Sequence, residues 1–421
     1  MSKEALDTVL ALSESFKSPY RLSNPLLRTI LSKHPHLTAE AQTHPTSARI
    51  LVHPSLPAFL TAFLQVKKHH GTRTEQSVYS DITTWQDLVK RLLTCRPLCF
   101  YGASDETLLR DMTSPRGSEW IRVGTESQGL IHMKDYLTYE EMGVAALLGI
   151  SAPVFFVNTG GRYNRGKWSE EGTFESNGIY TALVGARYEV PGKMEWRHTL
   201  AYQGQEPLIH PWTMLYDVHP LQEDLACLDP TLYAPISESV ALHIPSYIRR
   251  IRIPLDNLLL DANDRARARN KRAYVHVVGL GLGVWQICQS QPRWFVQAAA
   301  EAIEAYRLPH VGVLNFSWFP ENIIECGGVK SGQQFRTDKG NDIRIEFSKR
   351  DPAQKLETRD QDMLLVASFA WDANSYVGNE YWMGMLTASG DPAAAACSTI
   401  GEVMNPDINP FLLDNIWVSS E

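Results

Sequence analysis

The sequence predicts an α/β protein in which a mixed sheet lies between two layers of helices, with a helical extension at the N-terminus. From residue 96 onward, short apolar runs typical of strands alternate with patterns typical of helices. This alternation favours a three-layer α/β/α sandwich. One apolar run, residues 274–278, leads through alternating glycines into a helical pattern. Such a strand–loop–helix unit is typical of these sheets.

The N-terminal 94 residues predict mostly helices. Residues 59–66 and 84–93 carry apolar side chains at helical spacing, and loops rich in His, Pro and Thr separate the elements. We expect residues 1–94 to form a helical extension that packs on a main domain of residues 95–421. A role of the extension in recognition is the alternative.

Local signals set the element order of the main domain. Thr138 and Glu141 match a capping box that opens a helix through residue 148. A buried strand at residues 152–157 runs into a glycine turn. Further strands are predicted at residues 247–253, 274–278, 311–316, 343–347 and 363–369. Further helices are predicted at residues 176–188, 294–306 and 392–403.

Composition excludes several function classes. The 421-residue chain has a formal net charge of −7, whereas nucleic-acid-binding domains normally carry a basic excess. The chain start lacks the apolar core of a signal peptide. No apolar stretch approaches the roughly 18 residues of a membrane span. Six scattered cysteines offer only one close pair, Cys95 and Cys99, so we expect reduced thiols, a cytoplasmic location and no zinc site.

The most informative stretch is the glycine loop that follows residues 274–278. Gly279, Gly281 and Gly283 alternate there, and a loop of this kind between a strand and a helix can point its amides at a phosphate. A tight turn without a ligand is the alternative interpretation. The Rossmann fingerprint fits poorly because its sixth position is Val284 rather than glycine. A Walker loop is excluded because Val284 and Trp285 stand where Lys and Ser or Thr are needed.

A second polar loop follows the predicted strand at residues 363–369. It carries Asp372 together with other hydrogen-bonding side chains, namely Asn374, Ser375, Tyr376, Asn379 and Glu380. Such a loop at a strand end predicts a sugar or nucleotide pocket. The alternative is an Asx turn in which Asp372 caps the next helix.

Other polar groups are weaker candidates. Asp391 precedes Pro392, an arrangement that capping of a helix start explains well. Asn158 follows a predicted strand, and Glu189 and Glu195 form a spaced carboxylate pair that could share acid and base chemistry. Surface solvation is the commoner role of a single glutamate.

Taken together, residues 277–285, 371–382 and 389–399 resemble a divergent macrodomain family of ADP-ribosylhydrolases. Its best-known members are bacterial effectors that remove ADP-ribose from arginine of ubiquitin. The resemblance covers about residues 95–421 and implies a macrodomain-like fold. The pattern departs from the family after Asn158, where bulky Arg162, Tyr163 and Asn164 replace the usual small residues.

The resemblance implies a hydrolase that acts on ADP-ribosylated protein, with ubiquitin as one candidate, and that needs no metal or cofactor. The implied ligand-binding residues are Gly279, Leu280, Gly281, Leu282, Gly283, Val284, Trp285, Asn158, Asn374, Tyr376 and Asn379. Asp372 would orient or activate water, and Glu380 or Asp391 would hold ribose hydroxyls or the departing guanidinium. Two alternatives stay open: a non-catalytic ADP-ribose reader, and a hydrolase of poly(ADP-ribose) or of a nucleotide derivative.

Overall fold

A mixed sheet, with nine strands among the described residues, forms the centre of the protein. The computed structural model describes residues 2–17, 26–102, 104–164, 166–221, 225–379 and 398–421. The strands are β1 (Arg49–Val52), β2 (Cys99–Tyr101), β3 (Glu106–Leu108), β4 (Gly149–Phe155), β5 (Asn177–Leu183), β6 (Leu200–Tyr202), β7 (Tyr233–Ser237), β8 (Val240–His243), β9 (Ala273–Val277), β10 (Val311–Ser317), β11 (Glu325–Cys326), β12 (Val329–Lys330), β13 (Gln334–Arg336), β14 (Asp342–Ser348), β15 (Leu364–Ala370) and β16 (Ile416–Val418).

The helices flank this sheet. They are α1 (Ser2–Ser15), α2 (Leu26–Lys33), α3 (Thr38–Ala41), α4 (His44–Ser47), α5 (Leu56–His70), α6 (Arg73–Tyr79), α7 (Trp85–Thr94), α8 (Tyr139–Ala145), α9 (Glu195–Thr199), α10 (Ile244–Ala268), α11 (Gln291–Ala305) and α12 (Ile400–Val403). None of these described helices is long and apolar enough to cross a bilayer.

The strand order determines which loops meet. Across the sheet it runs β13, β14, β10, β9, β15, β5, β4, β1, β16. Strands β14, β10, β9, β15 and β5 are mutually parallel. β13 is antiparallel to β14, and β4 is antiparallel to both β5 and β1, whereas β1 and β16 are parallel. The carboxyl ends of the five parallel strands therefore share one edge of the sheet, where ligands of α/β proteins collect.

Alternate side chains of the sheet pack on the two helical layers. In β9, Val275 and Val277 face a core built with Leu258 of α10 and Phe295 of α11. Tyr274 on the opposite face joins the core that includes helices α5, α7 and α8. Because both faces are covered, the predicted three-layer α/β/α arrangement is confirmed.

Two element predictions were wrong. Residues 247–253 alternate in a strand-like way, but they belong to the long helix α10. Buried partners explain this, because Arg250 within the helix donates to Glu195 and to the carbonyls of Val184 and Ala146. Residues 176–188 were predicted as a helix but contain β5, which is buried on both faces. A central strand loses the polar alternation that would identify it.

The other predicted elements lie close to their expected positions. The capping box of Thr138 and Glu141 opens α8, and a second box of Thr84 and Asp87 opens α7. The predicted helix at residues 392–403 lies outside the described residues up to residue 397, and α12 occupies its last turn.

The N-terminal segment is mostly helical, and it also contributes strand β1 to the main sheet. In β1, Ile50 pairs with Ile150 of β4 and Ile416 of β16. Arg49 adds ion pairs to Asp261 and Asp264 of α10. The domain boundary at residue 94 stays a prediction.

Candidate active site

A cavity of about 810 Å³ lies at the carboxyl edge of the five parallel strands. Each of these strands contributes residues at or beyond its end. They are Arg187 and Glu189 after β5; Val278, Gly279 and residues 281–286 after β9; Ser317 to Glu321 from β10; Lys349, Asp351 and Pro352 after β14; and Phe369 to Asp372 from β15. The cavity is therefore assembled by the parallel topology from segments distant in sequence.

The glycine loop forms the central wall of the cavity. Its first amide, Val278 N–H, donates to Ser368 Oγ of β15 at 3.1 Å. Leu280 is fully buried and anchors the loop on the core. Within the described part of the chain, the N–H groups of Gly279, Gly281 and Gly283 have no hydrogen-bond acceptor. Because all three glycines line the cavity, these N–H groups are candidate donors to an anionic ligand.

Gly281 of the glycine loop and Gly185 of the loop after β5 leave no room for a side chain. Gly281 has a φ of 74°, and a Cβ there would lie 3.0 Å from the backbone N and O of Ala186. A Cβ on Gly185 would lie 2.2 Å from Gly281 N, so the loops after β5 and β9 touch through bare backbone. A Cβ on Gly283 would meet open space.

The glycine loop does not run directly into the next helix. Residues 284–290 intervene before α11 begins at Gln291. The buried Gln291 side chain accepts hydrogen bonds from the N–H groups of Ile287 and Cys288, at 2.7 and 2.8 Å. Pro292 in the first turn of α11 still lines the cavity. The start of α11 is therefore near the cavity but separated from the glycines.

Asp372 forms an Asx turn and also lies at the cavity. Its Oδ1 accepts from the backbone N–H groups of Asn374 and Ser375 at 2.8 and 3.0 Å, which is an Asx turn. Its Oδ2 accepts from Ser375 Oγ at 2.8 Å. Asp372 is also one of the residues that line the cavity. The turn thus fixes the orientation of the carboxylate of a residue at the cavity wall.

Beneath this turn lies the fully buried Arg96. Its guanidinium stacks on the indole of Trp371, with 4.3 Å between Cζ and the ring centroid. Burial lowers the pKa of Arg96 to about 9, and the nearby Asp372 carboxylate opposes that shift. A cation therefore supports the Asp372 turn from the protein side.

A second group of charged side chains at the cavity is centred on Arg187, which pairs with two carboxylates. Its guanidinium donates to Glu189 Oε2 at 2.9 Å and to Asp105 Oδ1 at 2.7 Å. Although burial opposes the charged form, these two carboxylates raise the pKa of Arg187. The guanidinium also lies near the rings of Phe100 and Trp285, 5.2 and 5.8 Å from their centroids. Glu189 is thus held in place at the cavity wall.

Glu195 has a different position from Glu189. It is buried, its Oε1 accepts from Arg250 Nε at 2.6 Å, and its Oε2 accepts from the Arg187 N–H at 3.1 Å. It does not line the cavity. Of the predicted carboxylate pair, only Glu189 therefore lies at the cavity.

The floor of the cavity includes His276 in β9. Its Nε2 lies 3.1 Å from the carbonyl oxygen of Arg350, which can only accept, so Nε2 carries the proton. Burial lowers the pKa of His276 to about 4. The ring is therefore neutral at pH 7, and the same carbonyl also accepts from Ser317 Oγ and Trp318 Nε1.

The predicted ligand-binding residues divide into two groups. Those that line the cavity are Gly279, Gly281, Leu282, Gly283, Val284, Trp285 and Asn379. Those that do not are Leu280, Asn158, Asn374 and Tyr376. The Asn158 side chain instead bridges Gly160 and Lys167, and the Tyr376 hydroxyl donates to Asp407 at 2.8 Å. The predicted catalytic residues Glu380 and Asp391 lie outside the described residues.

Arg187 and Trp318 are among the cavity residues that sequence reasoning missed. Arg187 stands two positions before Glu189, which was a weak candidate, and a cation there gave no signal of its own. Trp318 directly follows β10, and a single tryptophan at a strand end gave no functional signal of its own. Among the described residues, no group of three or more His, Cys, Asp or Glu side chains could hold a metal ion.

Comparisons with known proteins point to one chemistry. The model of the MavL-like family of ADP-ribosylhydrolases matches residues 7–420. A Drosophila melanogaster protein named as an ADP-ribosylarginine hydrolase is 33% identical over 408 residues, covering 89% of this chain and 78% of the relative. A second protein of that name and organism is 30% identical over 433 residues, covering 96% of this chain and 84% of the relative.

Proposed function

The chain belongs to the MavL-like family of ADP-ribosylhydrolases, and on that premise we propose that it releases ADP-ribose from arginine side chains of modified proteins. One observation carries the proposal most strongly. The available amides of the glycine loop follow β9, and the Asp372 carboxylate follows the adjacent strand β15. A diphosphate and the neighbouring reactive ribose need those two kinds of group side by side.

The glycine loop would hold the diphosphate. Backbone N–H groups of a loop can surround phosphate oxygens without adding side-chain bulk. Gly283 and Val284 are the solvent-exposed residues of the loop, and Trp285, which follows them, lies near Arg187. Arg187 adds positive charge to the same wall, although Asp105 and Glu189 already pair with it.

Asp372 would act on the water that attacks C1 of the distal ribose. Cleavage breaks the bond between C1 and the arginine nitrogen and passes through an oxocarbenium-like state, which carboxylates stabilise. The water oxygen bonds to C1 as the bond from C1 to the arginine nitrogen breaks, and Asp372 accepts the water proton. The departing guanidine becomes guanidinium by taking up the equivalent proton, which Asp372 gives back directly or through solvent. The hydrogen bonds at Oδ1 would hold the carboxylate in place, and Oδ2, to which Ser375 Oγ is the one donor among the described residues, would accept the proton.

Glu189 would contribute to the choice of arginine. Arg187 occupies its Oε2, and no described residue donates to its Oε1. A carboxylate oxygen in this state can accept a charge-assisted hydrogen bond from a substrate guanidinium. An ester-linked Asp or Glu conjugate has no such cation. The two relatives named as ADP-ribosylarginine hydrolases support the same linkage.

The proposal retains further expectations from the sequence. Glu380 or Asp391 would assist at the ribose, and the fold would be related to macrodomains. Ubiquitin, the substrate of the bacterial effectors that the motifs resemble, is one candidate for the modified protein, and a cytoplasmic location fits such a substrate.

The test is incubation of the full chain with proteins that carry ADP-ribose on arginine, serine or glutamate, with ADP-ribosylated ubiquitin among the arginine substrates. Released ADP-ribose is measured by chromatography, and Asp372→Asn serves as the matched control. We expect release from arginine and far slower release from serine and glutamate. Efficient release from serine or glutamate while the arginine conjugate stays intact would refute the proposal.

A further inference from the structure

A buried cation without a carboxylate partner lies behind the Asp372 turn. Arg96 stands in the short segment between α7 and β2, and only 1% of it is exposed. Among the described residues, no carboxylate forms an ion pair with it, and its Nη2 atom has no hydrogen-bond acceptor. Buried charges are normally paired, because removing a charge from water costs free energy. Stability of the core alone therefore does not explain why a guanidinium is buried here.

The contacts that Arg96 does make lead to the Asp372 turn. Its Nη1 donates to Ser375 O at 3.4 Å, and its Nε donates to Leu92 O of α7 at 2.7 Å. The guanidinium also stacks on Trp371, whose Nε1 donates to the same Ser375 carbonyl at 3.2 Å. Ser375 is the residue whose N–H and Oγ both donate to the Asp372 carboxylate. Ser375 therefore connects the buried cation to the carboxylate that is proposed to act on water.

The end of α7 makes further contacts with the same loop. The Tyr376 N–H donates to Pro97 O at 3.4 Å, and its hydroxyl oxygen lies 3.2 Å from Thr94 O. Charge acts across this contact as well. Burial lowers the pKa of Arg96, and among its neighbours the Asp372 carboxylate opposes that shift most. Residues 94–97 thus hold the loop after β15 both by hydrogen bonds and by charge.

We propose that Arg96 is a positioning residue of the hydrolysis, which acts through Ser375 to hold the Asp372 carboxylate in the orientation that attack by water requires. This inference rests on the proposed function, in which Asp372 accepts the proton of that water. Arg96 does not itself line the cavity. It can still set kcat, because a misplacement of about 1 Å can lower a rate about a hundredfold. The N-terminal helical segment then takes part in the reaction, since Leu92 of α7 anchors Arg96.

The test measures kcat and KM of the full chain for release of ADP-ribose from an arginine-linked conjugate, and affinity for ADP-ribose by calorimetry. Arg96→Met removes the charge and the donors at similar side-chain length, whereas Arg96→Lys keeps the charge. A lysine cannot reach Leu92 O and Ser375 O with separate donors in a planar fork. We expect kcat to fall about tenfold or more in Arg96→Met and less in Arg96→Lys, with KM and ADP-ribose affinity nearly unchanged.

Arg91→Met is the matched control for loss of a buried arginine. Arg91 belongs to the same helix, pairs with Glu141 at 2.7 Å and does not line the cavity. Its replacement should lower the melting temperature and leave kcat of the folded protein unchanged.

A double-mutant cycle separates positioning from a general structural effect. In Asp372→Asn protein the group that Arg96 positions is already disabled, so adding Arg96→Met should lower the residual turnover no further. An equal loss in both backgrounds would overturn the inference. So would a wild-type kcat in folded Arg96→Met, or a loss of ADP-ribose affinity as large as the loss of kcat. If Arg96→Met does not fold, Arg96→Lys carries the same cycle, and a wild-type kcat in that variant overturns the inference.

Failure of the proposed function gives a different result. If the wild type releases no ADP-ribose from the arginine conjugate, or if Asp372→Asn keeps full turnover, the proposed function fails and the role of Arg96 fails with it. If the wild type is active and Asp372→Asn is impaired, the outcomes for the Arg96 variants decide the role of Arg96 alone.

Discussion

Replacing Gly281 with alanine should destabilise the protein and weaken ADP-ribose binding. Gly281 has a φ of 74°, and its new Cβ would lie 3.0 Å from two backbone atoms of Ala186. The left-handed conformation costs a non-glycine residue about 1–2 kcal/mol. The contact involves backbone, which cannot rotate away, so the loop must shift. We expect a loss of roughly 2 kcal/mol in the free energy of unfolding.

Gly283→Ala is the matched control for this change. A Cβ on Gly283 meets open space and its φ is not left-handed, so the substitution should change stability by less than about 0.5 kcal/mol. Thermal unfolding gives the stability of both variants, and calorimetry with ADP-ribose gives their affinity. We expect at least a tenfold loss of affinity in Gly281→Ala. Wild-type stability and affinity in that variant would refute the argument that loop geometry creates the phosphate site.

Other predictions concern the ionisable residues. Asp372→Asn keeps the acceptor of its turn, so turnover should fall about a hundredfold with ADP-ribose affinity nearly unchanged; equal loss of both would make Asp372 a structural cap. Glu195→Gln leaves the Arg250 guanidinium buried without its charge partner, so it should lower the free energy of unfolding by about 3–5 kcal/mol, as thermal unfolding would show. Glu189→Gln should mainly slow turnover. A stable Glu195→Gln together with a destabilised Glu189→Gln would contradict these two roles. Burial lowers the pKa of His276 to about 4, below the usual 6.5 of an unfolded chain, so the unfolded state takes up the proton first as pH falls. The stability contribution is complete above pH 6.5 and falls by about 3 kcal/mol by pH 4, and His276→Gln should remove that part of the pH dependence of unfolding; an unchanged dependence would contradict it.

Strands that are followed directly by glycines or by polar loop residues could be predicted from the sequence. The run at residues 274–278 ends in glycines, and β9 ends at Val277. The run at residues 363–369 ends before Asp372, and β15 ends at Ala370. Because both strands are parallel neighbours, their following loops meet. The pairing itself could not be predicted, since nothing local in either segment specifies its neighbour.

Elements whose character depends on distant partners could not be predicted. The run at residues 247–253 alternates like a strand, and only the distant acceptors Glu195 and Val184 make a buried arginine acceptable in α10. The same holds at the cavity. Leu280 lies in the glycine loop by sequence, yet it points into the core and is fully buried. Trp318 gave no signal because its exposed position depends on a backbone angle and on the carbonyls of Ser348 and Arg350.

The contacts between the loops after β5 and β9 couple the positions of these two loops. Gly185 and Gly281 touch through backbone, and Arg187 lies near Trp285 while holding Glu189. A shift of the glycine loop must therefore be transmitted to the Glu189 carboxylate, because no flexible side chain separates the two backbones. The groups proposed to bind the diphosphate and the guanidinium are thus positioned as one unit, whereas Asp372 is oriented independently by its own turn. A change at Gly281 should for this reason disturb both binding and linkage preference, and a change at Asp372 should disturb turnover alone.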